Sequence, residues 1–320
     1  MIKTTIRLAV TAAVVALGVQ AAAAQGSAYP SQTVKIIVPF SAGSLTDLLA
    51  RTLSDKLAPM WKQPVIVENH PGVAGTALAA KSPADGYTLL LVSNGHTVTK
   101  MITSNLPFDP VNDFVGVSKL ASMPMIMIAP PKADHRNLAD VVKLAQQNPG
   151  KLSYASAGLA STAYIAGESF KQTKNLQILH VPYKGTPDAQ TSIMRGDTDF
   201  FFSPASVSDD LINSGKVNGV AVTGKQRIGT LPNVPTFAEA GMPEFEYDAW
   251  FGLLAPAQTP KAIRDKISQD IAKVMAMPDV RDRLAKQGTV VTSSTPDAFD
   301  ALVKSDTERY SKILAGSAKK

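Results

Sequence analysis

Two stretches of the chain share one pattern: KIIVPFSAGSLTDLLAR, from Lys35 to Arg51, and ILHVPYKGTPDAQTSIM, from Ile178 to Met194. Each runs an apolar, β-branched segment into Val-Pro-aromatic, passes a glycine and continues with helix-forming residues after a threonine. Proline ends strand pairing because it lacks an N–H group, and glycine permits backbone conformations that other residues avoid. The pattern therefore predicts a strand, a tight loop and a helix, twice in one chain.

Both loops are expected to present a helix N-terminus at the carboxyl end of a strand. Thr46 and Thr186 are the predicted N-caps, with Asp47 in the first helical turn. A third copy, KLSYASAGLASTAYIAGESF, begins a helix near Ser161 or Thr162. Open α/β sheets bind ligands at the carboxyl ends of strands, and free N–H groups at a helix start suit an anion. Three such loops can converge on one anion, although any α/β protein also uses this pattern to turn corners.

Short β-rich runs alternate with helical patterns along the chain, which favours α/β units with a mostly parallel sheet. The predicted strands are 35–40, 65–68, 87–93, 125–129, 152–156, 178–181, 199–202 and 217–222. The predicted helices are 76–81, 137–147, 161–173, 187–195, 206–213 and one after each of Pro260 and Pro296. The proline-rich residues 232–260 predict an ordered, irregular segment that wraps the first lobe.

The strand pattern begins again after Pro124, which indicates an inserted lobe. We expect a first lobe of residues 25–123 plus 224–320 and a second lobe of residues 124–223. The length of 320 residues suits two domains of ordinary size. Two crossings, near residues 122–124 and 223–224, would then form a hinge.

The first residues have the pattern of a secretory signal peptide. Lys3 and Arg7 precede a short apolar run, and the small residues before Gln25 form a cleavage site after Ala24. The apolar run is shorter than the roughly 18 to 20 residues that span a bilayer. Residues 1–24 are therefore predicted to be a cleaved signal peptide. The chain has no cysteine, which excludes disulfides, thiolate nucleophiles and lipid attachment and fits a bacterial periplasm.

The charge pattern bears on the class of partner. The formal net charge is +6, lysine and arginine are scattered along the chain rather than clustered, and no ladder of alternating aromatic and basic residues appears. This distribution argues against nucleic acid, whereas a modest positive field favours encounter with small anions.

Several strings identify a family resemblance that runs in order from Tyr29 to the C-terminus. They are YPSQTVKIIVPF, SLTDLLAR, PVIVEN with PGVAG, PADGYTLL, LPFDPVNDF, YASAG, HVPYKGTPDA, RGDTD, LPNVPTFAEAG and WFGLLAPAQTP. Together they resemble the Bug-type (TctC-like) solute-binding proteins of tripartite tricarboxylate transporters. The resemblance implies an α/β, two-lobed periplasmic binding protein, or Venus flytrap, in which two crossing segments form the hinge between lobes of mostly parallel sheet. It would close on a small carboxylate, such as an organic acid, amino acid or aromatic carboxylate, and deliver it to a membrane transporter.

The resemblance also implies the ligand-binding positions, because this family holds carboxylates with backbone amides, hydroxyls and water from the loops after the first strands of each lobe. The implied residues are Phe40, Ser41, Ala42, Gly43, Ser44, Thr46, Asp47, Ser93, Gly95, His96, Ala157, Gly158, Ser161, Tyr183 and Thr186. The first loop departs from the family, which often has a Gly-Gly pair where Gly43 is followed by Ser44 and Leu45. Ser44 could donate a hydroxyl and Leu45 could line the pocket.

Some of these residues have two readings. Asp47 either contacts the ligand, directly or through water, or serves only in the first helical turn. His96 either contacts the ligand or lies on the surface, and Lys184 either steers anions or is simply solvated. The remaining histidines, His70, His135 and His180, are expected to be structural because no metal-ligand spacing surrounds them.

An enzyme is the main alternative from another class. The sequence contains no G-x-S-x-G, H-E-x-x-H or G-x-G-x-x-G motif, and GTALAAKS lacks the second glycine of a phosphate loop. A triad assembled in space would escape such a search. The sequence therefore predicts a monomeric binding protein without catalytic residues, metal or cofactor. A periplasmic enzyme acting on a small carboxylate and a solute-sensing accessory of a membrane receptor remain as alternatives.

Overall fold

The structure, a computed structural model, describes residues 29–159 and 161–317. The predicted signal peptide lies outside the described residues. None of the helices in these ranges combines the length and the apolar character that crossing a bilayer requires.

Two β-sheets organise the chain. The strands are β1 (Val34–Val38), β2 (Val65–Asn69), β3 (Thr88–Ser93), β4 (Phe114–Met123), β5 (Met125–Ala129), β6 (Ser153–Ser156), β7 (Leu179–Pro182), β8 (Phe200–Pro204), β9 (Asn218–Val222), β10 (Ala249–Pro256) and β11 (Val290–Val291). The first sheet has the order β11-β4-β10-β3-β1-β2, and the second has the order β7-β6-β8-β5-β9.

Helices connect and flank the strands. They are α1 (Leu45–Trp61), α2 (Val73–Ala80), α3 (Thr99–Ile102), α4 (Leu138–Gln147), α5 (Thr162–Thr173), α6 (Thr186–Arg195), α7 (Asp209–Asn213), α8 (Lys261–Met275), α9 (Pro278–Ala285) and α10 (Pro296–Ser317). Two 3₁₀ turns, Asn94–Val98 and Ala205–Val207, follow β3 and β8. The predicted α/β architecture of two sheets with flanking helices is confirmed.

The strand directions are mixed within each sheet. In the first sheet β1 pairs in parallel with β2 and β3, whereas β10 runs antiparallel to β3 and β4, and β11 antiparallel to β4. In the second sheet β6 pairs in parallel with β7 and β8, whereas β5 runs antiparallel to β8 and β9. Most strands of each sheet therefore point one way, and a reversed strand, β10 or β5, lies inside it.

The chain passes between the sheets at two places. Pro124 alone separates β4 of the first sheet from β5 of the second. The chain returns between β9 and β10. The division into lobes at residues 124 and 223 stays a prediction.

The prediction for residues 232–260 was wrong in two respects. Their last part is not irregular, because it forms β10, which is buried along its length between β3 and β4. Residues 234–245 pack on the second sheet: the rings of Phe237 and Phe202 stack at 5.9 Å, and the Phe237 amide donates to the Val222 carbonyl. Periodicity missed β10 because a continuous apolar run fits a buried strand and a buried helix equally well.

Helix α8 buries the apolar residues that recur at helical spacing along it. Ile267, Ile271 and Val274 are buried, as their helical spacing predicts. The helix ends at Met275, and Pro278 begins α9, where proline suits a first helical turn because that turn needs no N–H donor.

Candidate functional site

The predicted binding loops lie at the carboxyl ends of parallel strands in both sheets. In the first sheet β1 and β3 are neighbours, so the loop that begins at Phe40 and the turn that begins at Asn94 leave the same edge. In the second sheet β6 and β7 are neighbours, and the Tyr183 amide donates to the Ser156 carbonyl at 2.9 Å. Each sheet therefore brings two predicted loops together.

The predicted site residues differ in their exposure. Ser41, Ala42 and Gly43 are exposed; Phe40, Ser44, Ala157, Gly158, Ser161, Tyr183 and Thr186 are partly buried; Thr46, Asp47, Ser93, Gly95 and His96 are buried. A solute can reach the first two groups directly, whereas it reaches the third only where a backbone atom faces the loop surface.

The N-cap of α1 is Ser44, not Thr46 as predicted. The Ser44 hydroxyl accepts from the Asp47 amide at 3.2 Å and shares a hydrogen bond with the Thr46 hydroxyl at 2.9 Å. Extended backbone at Ser44 permits this capping, and Thr46 already lies inside the helix. The Ser44 hydroxyl is thus engaged by the start of the helix.

Asp47 braces the first loop. Its carboxylate accepts from the Gly43 amide at 2.9 Å, from Arg51 Nε at 3.0 Å and from Asn69 Nδ2 at 3.0 Å. Burial alone would raise the pKa of Asp47, but the hydrogen bonds from Arg51, Gly43 and Asn69 outweigh it and hold the pKa below its ordinary value. These contacts favour the structural reading of Asp47, and they also occupy the Gly43 amide.

The His96 ring is buried beside the first sheet. Its Nε2 donates to the Pro110 carbonyl at 2.7 Å, and the ring packs edge-on against Phe114. Burial lowers the pKa of His96 to about 4, so the ring is neutral at pH 7. Neither sequence reading of the His96 side chain agrees with this position, because the ring is neither on the surface nor free for a ligand.

The loop after β6 leads into α5, which begins at Thr162, as the predicted start near Ser161 or Thr162 requires. The Ser161 hydroxyl accepts from the Tyr164 amide at 3.1 Å, which makes Ser161 the N-cap of α5. Gly158 has φ +105°, a conformation that side chains rarely adopt, and a Cβ there would lie 3.6 Å from the Tyr183 carbonyl oxygen. The two loops of the second sheet therefore approach each other at Gly158.

The start of α6 lacks a side-chain cap. Gly185, not Thr186, is the N-cap, so Thr186 is the first helical residue. Within residues 29–159 and 161–317, the backbone amides of Lys184, Gly185 and Thr186 have no hydrogen-bond partner. Three unpaired donors and the positive end of the helix dipole thus lie together beside the loop after β6.

Tyr247, which sequence reasoning missed, connects the two sheets at this edge. Asn94 Nδ2 donates to the Tyr247 hydroxyl at 2.8 Å, and that hydroxyl donates to the Thr162 carbonyl at 2.8 Å. Asn94 begins the 3₁₀ turn after β3, and Thr162 begins α5. No motif marks Tyr247; its only signal is an aromatic residue just before a buried apolar run.

The remaining histidines are held by local contacts. His135 Nε2 lies 3.0 Å from the Asp199 carbonyl, His180 Nε2 lies 2.7 Å from the Ser156 hydroxyl, and His70 Nε2 lies 3.3 Å from Glu68. Burial lowers the pKa of His180 to about 4. Across the described ranges no three His, Cys, Asp or Glu residues group in a way that would hold a metal ion. The predicted loops instead offer backbone amides and hydroxyls, groups that suit an anion.

The family assignment follows from comparison with known proteins. Residues 49–317 match the family model described as tripartite tricarboxylate transporter family receptor. The chain belongs to this receptor family. Most of the receptor, including the loops after β3, β6 and β7, lies within the match, whereas the first loop, residues 40–47, precedes it.

Individual relatives of the receptor agree with this assignment. Protein BugT of Bordetella pertussis is 31% identical over 314 residues, which cover 96% of each chain. An R. palustris protein solved with adipate is 28% identical, with a TM-score of 0.75 over 90% of this chain and 97% of the other. MatC from Rhodopseudomonas palustris, solved with bound malate, is 28% identical, with a TM-score of 0.74 over 89% of this chain and 100% of MatC. The receptor is therefore a Bug-type solute-binding protein, as its sequence predicts.

Proposed function

We propose that this receptor binds a small carboxylated solute in the periplasm, in the cleft between its two lobes, and delivers it to a membrane transporter of the tripartite tricarboxylate type. The observation that carries the proposal is the family match, joined to two similar structures that hold adipate and malate. Both of those ligands are small dicarboxylates, so a carboxylate is the ligand class that this receptor is expected to share.

The unpaired backbone amides at the start of α6 support the proposal that a carboxylate binds at the loops after β6 and β7. The amides of Lys184, Gly185 and Thr186 are unpaired in the described structure, and Ala157 and Gly158 lie in the neighbouring loop. A micromolar dissociation constant corresponds to about 8 kcal/mol. A few hydrogen bonds to a charged group, at roughly 1.5 to 3 kcal/mol each, supply that free energy after the cost of ordering.

The first sheet would close the other side of the cleft with Phe40 to Ser44 and with the backbone of Ser93 and Gly95. Asp47 and Thr46 would act behind this loop by fixing its shape. The two histidines near these loops are engaged by the protein itself: His96 Nε2 bonds the Pro110 carbonyl, and His180 Nε2 bonds the buried Ser156 hydroxyl. These features favour a binder over a periplasmic enzyme.

A carboxylate screen tests the proposal. The mature chain would be mixed with adipate, malate, citrate, glutamate and benzoate, and its melting temperature and heat of binding measured. A ligand at one hundred times its dissociation constant stabilises the folded state by about 2.7 kcal/mol, which raises the melting temperature by several degrees. NMR of the recovered ligand should show it unchanged; conversion of the ligand would favour the enzyme, and no shift with any carboxylate would contradict the proposal.

Two pairs of variants test the site. Thr186→Val removes a hydroxyl beside the unpaired amides, and Thr191→Val, whose hydroxyl donates to the Pro187 carbonyl, is the matched control on the same helix. Gly158→Leu places a side chain between the two loops of the second sheet. Its control is Gly196→Leu, since Gly196 also has a positive φ, of +78°, but has open space around it. Binding should weaken in the first member of each pair only.

Delivery is tested in cells. Deleting this receptor, or the small and large membrane subunits of a tripartite tricarboxylate-type transporter if its neighbouring genes encode them, should abolish uptake of the solute found in the screen. Uptake that continues without the receptor would contradict its role in delivery but would leave solute binding intact.

A further inference from the structure

The Tyr247 hydroxyl is the hydrogen-bonded link between the turn after β3 and the start of α5. It accepts from Asn94 Nδ2 and donates to the Thr162 carbonyl, each at 2.8 Å. Asn94 directly follows the strand end at Ser93, and Thr162 directly follows the helix cap at Ser161. Both neighbours, Ser93 and Ser161, belong to the proposed binding loops.

We propose that Tyr247 is a positioning residue for solute binding: it holds the start of α5 at a fixed distance from the turn after β3 and thereby sets the spacing of the two sides of the cleft. The proposal rests on the proposed function for its ligand, but its geometric part concerns the protein alone. Tyr247 acts through Thr162 and Asn94 and does not contact the solute.

Burial raises the free-energy cost of breaking the hydrogen bond between Asn94 and Tyr247. Tyr247 is 1% exposed and Asn94 is 0% exposed, so water does not replace the hydrogen bond between them when it breaks; the bond to the Thr162 carbonyl is partly buried. Leaving a buried polar group without a partner costs about 1 to 3 kcal/mol. Burial raises the pKa of Tyr247 well above its ordinary value, so the hydroxyl keeps the proton that it donates to Thr162.

The place of Tyr247 in the chain explains why it can set the spacing of the two sheets. Two residues before it, Phe245 packs on Phe202 of the second sheet at 5.8 Å between ring centroids. Two residues after it, Ala249 pairs with Met123 of the first sheet. Tyr247 therefore lies in the passage between sheets, where a change in spacing has to be accommodated.

Helix α10 packs behind the link and leaves it little room to shift. It contacts both the 3₁₀ turn Asn94–Val98 and α5. Arg309 Nη2 donates to the Tyr310 hydroxyl at 2.8 Å, and Tyr310 is 0% exposed. Because the surroundings of Tyr247 are closely packed, Tyr247→Phe changes the spacing between α5 and the turn after β3 mainly through the missing hydroxyl.

An intersheet distance measurement tests the geometric part without ligand. The chain has no cysteine, so spin labels can be attached specifically at Lys81→Cys and Gln146→Cys. Both positions are exposed, and the labels report the positions of the first and the second sheet respectively. Electron–electron distance measurements should give a broader distribution in Tyr247→Phe than in the wild-type background. An unchanged distribution would overturn the proposal.

Tyr154→Phe is the matched control. It also removes one buried tyrosine hydroxyl, which donates to Glu168 Oε1 at 2.6 Å, but this bond lies wholly within the second lobe. The control should lose a similar amount of thermal stability and keep the narrow distribution. Equal broadening in both variants would show a general loosening and would also overturn the proposal.

Affinity for adipate and malate tests the functional part. At a temperature where both variants are fully folded, Tyr247→Phe should bind the better of these probes about 3- to 10-fold more weakly, and Tyr154→Phe within about 2-fold of wild type. Unchanged affinity in Tyr247→Phe would overturn the functional part. If the wild type bound neither probe, the ligand would be in question, and the ligand-free distances would still decide the geometry.

Asn94→Leu serves if Tyr247→Phe does not fold. Leucine has the same branching as asparagine, and this variant removes the donor to the Tyr247 hydroxyl. It should also broaden the distance distribution, because the Tyr247 hydroxyl would then hydrogen-bond to the Thr162 carbonyl but not to residue 94. A wild-type distribution in this variant would contradict the proposal.

Discussion

The backbone amide of Gly43 donates a hydrogen bond to Asp47 Oδ2 at 2.9 Å, which ties the first loop to its own helix. A carboxylate that repels an anion can therefore occupy the base of a proposed anion site, since its charge is already compensated by Arg51 and by the loop backbone. The peptide groups of Ser41 and Ala42 are left at the exposed surface of the loop.

Replacement of Asp47 tests this bracing role. In Asp47→Asn the side chain loses its charge and the best acceptor for the Gly43 amide, so we expect the free energy of unfolding to fall by about 2 to 3 kcal/mol. Urea unfolding would measure it. Asp134→Asn, at an exposed aspartate, is the control and should change stability by less than about 0.5 kcal/mol. An equally stable Asp47→Asn would contradict the assignment.

The helix cap predicts an order of effects at neighbouring positions. Ser44→Ala removes the acceptor of the Asp47 amide and should cost about 1 kcal/mol. Thr46→Val removes only a bond to the Ser44 hydroxyl and should cost less. Thermal unfolding of the two variants, measured side by side, would refute Ser44 as the cap if the order were reversed.

The buried histidines predict a loss of stability in mild acid. Burial lowers the pKa values of His96 and His180 to about 4 from 6.5, so between these values the unfolded chain takes up protons that the folded chain does not. Stability should be complete above about pH 6.5 and fall as the pH drops toward 4, by at most roughly 3 kcal/mol for His96.

A histidine replacement isolates the part of this slope that belongs to His96. His96→Gln retains a donor for the Pro110 carbonyl and should flatten the slope of unfolding free energy between pH 6.5 and 4. His135→Gln, at another ring that contacts a carbonyl, leaves His96 and His180 in place and should keep the wild-type slope. A full slope in His96→Gln would show that the acid sensitivity arises elsewhere.

Lys184 predicts a salt-dependent contribution to solute capture. The Lys184 side chain is exposed, and within the described ranges it forms no ion pair. It lies beside the unpaired amides at the start of α6. Lys184→Gln should slow association of a dicarboxylate several-fold at low ionic strength, and the difference should shrink at 0.5 M salt because screening removes the attraction. Stopped-flow measurements against Lys216→Gln, an exposed lysine on another segment, would reveal whether the effect is specific. Equal rates for both variants would leave Lys184 as a solvated side chain.

The sequence by itself determined the local units of this protein. The strands with β-branched residues, the stop at Pro39 and Pro182 and the helix start near Ser161 follow from the preferences of adjacent residues, so pattern reasoning finds them. The family strings extend this to two lobes and to a solute-binding role. Even the errors at Thr46 and Thr186 are small, since each lies within two residues of the observed cap.

Only the tertiary structure decided which strands pair and where the side chains of the loops point. Strand β10 comes from a run of apolar residues that fits a strand or a helix, and its place between β3 and β4 depends on partners more than 120 residues away in sequence, such as Met123 for Ala249. His96 turns inward because a carbonyl and an aromatic ring meet it there, and Tyr247 spans two sheets that no local pattern relates. Local preference acts over a few residues, whereas hydrogen bonds between distant segments form only once the whole chain has folded.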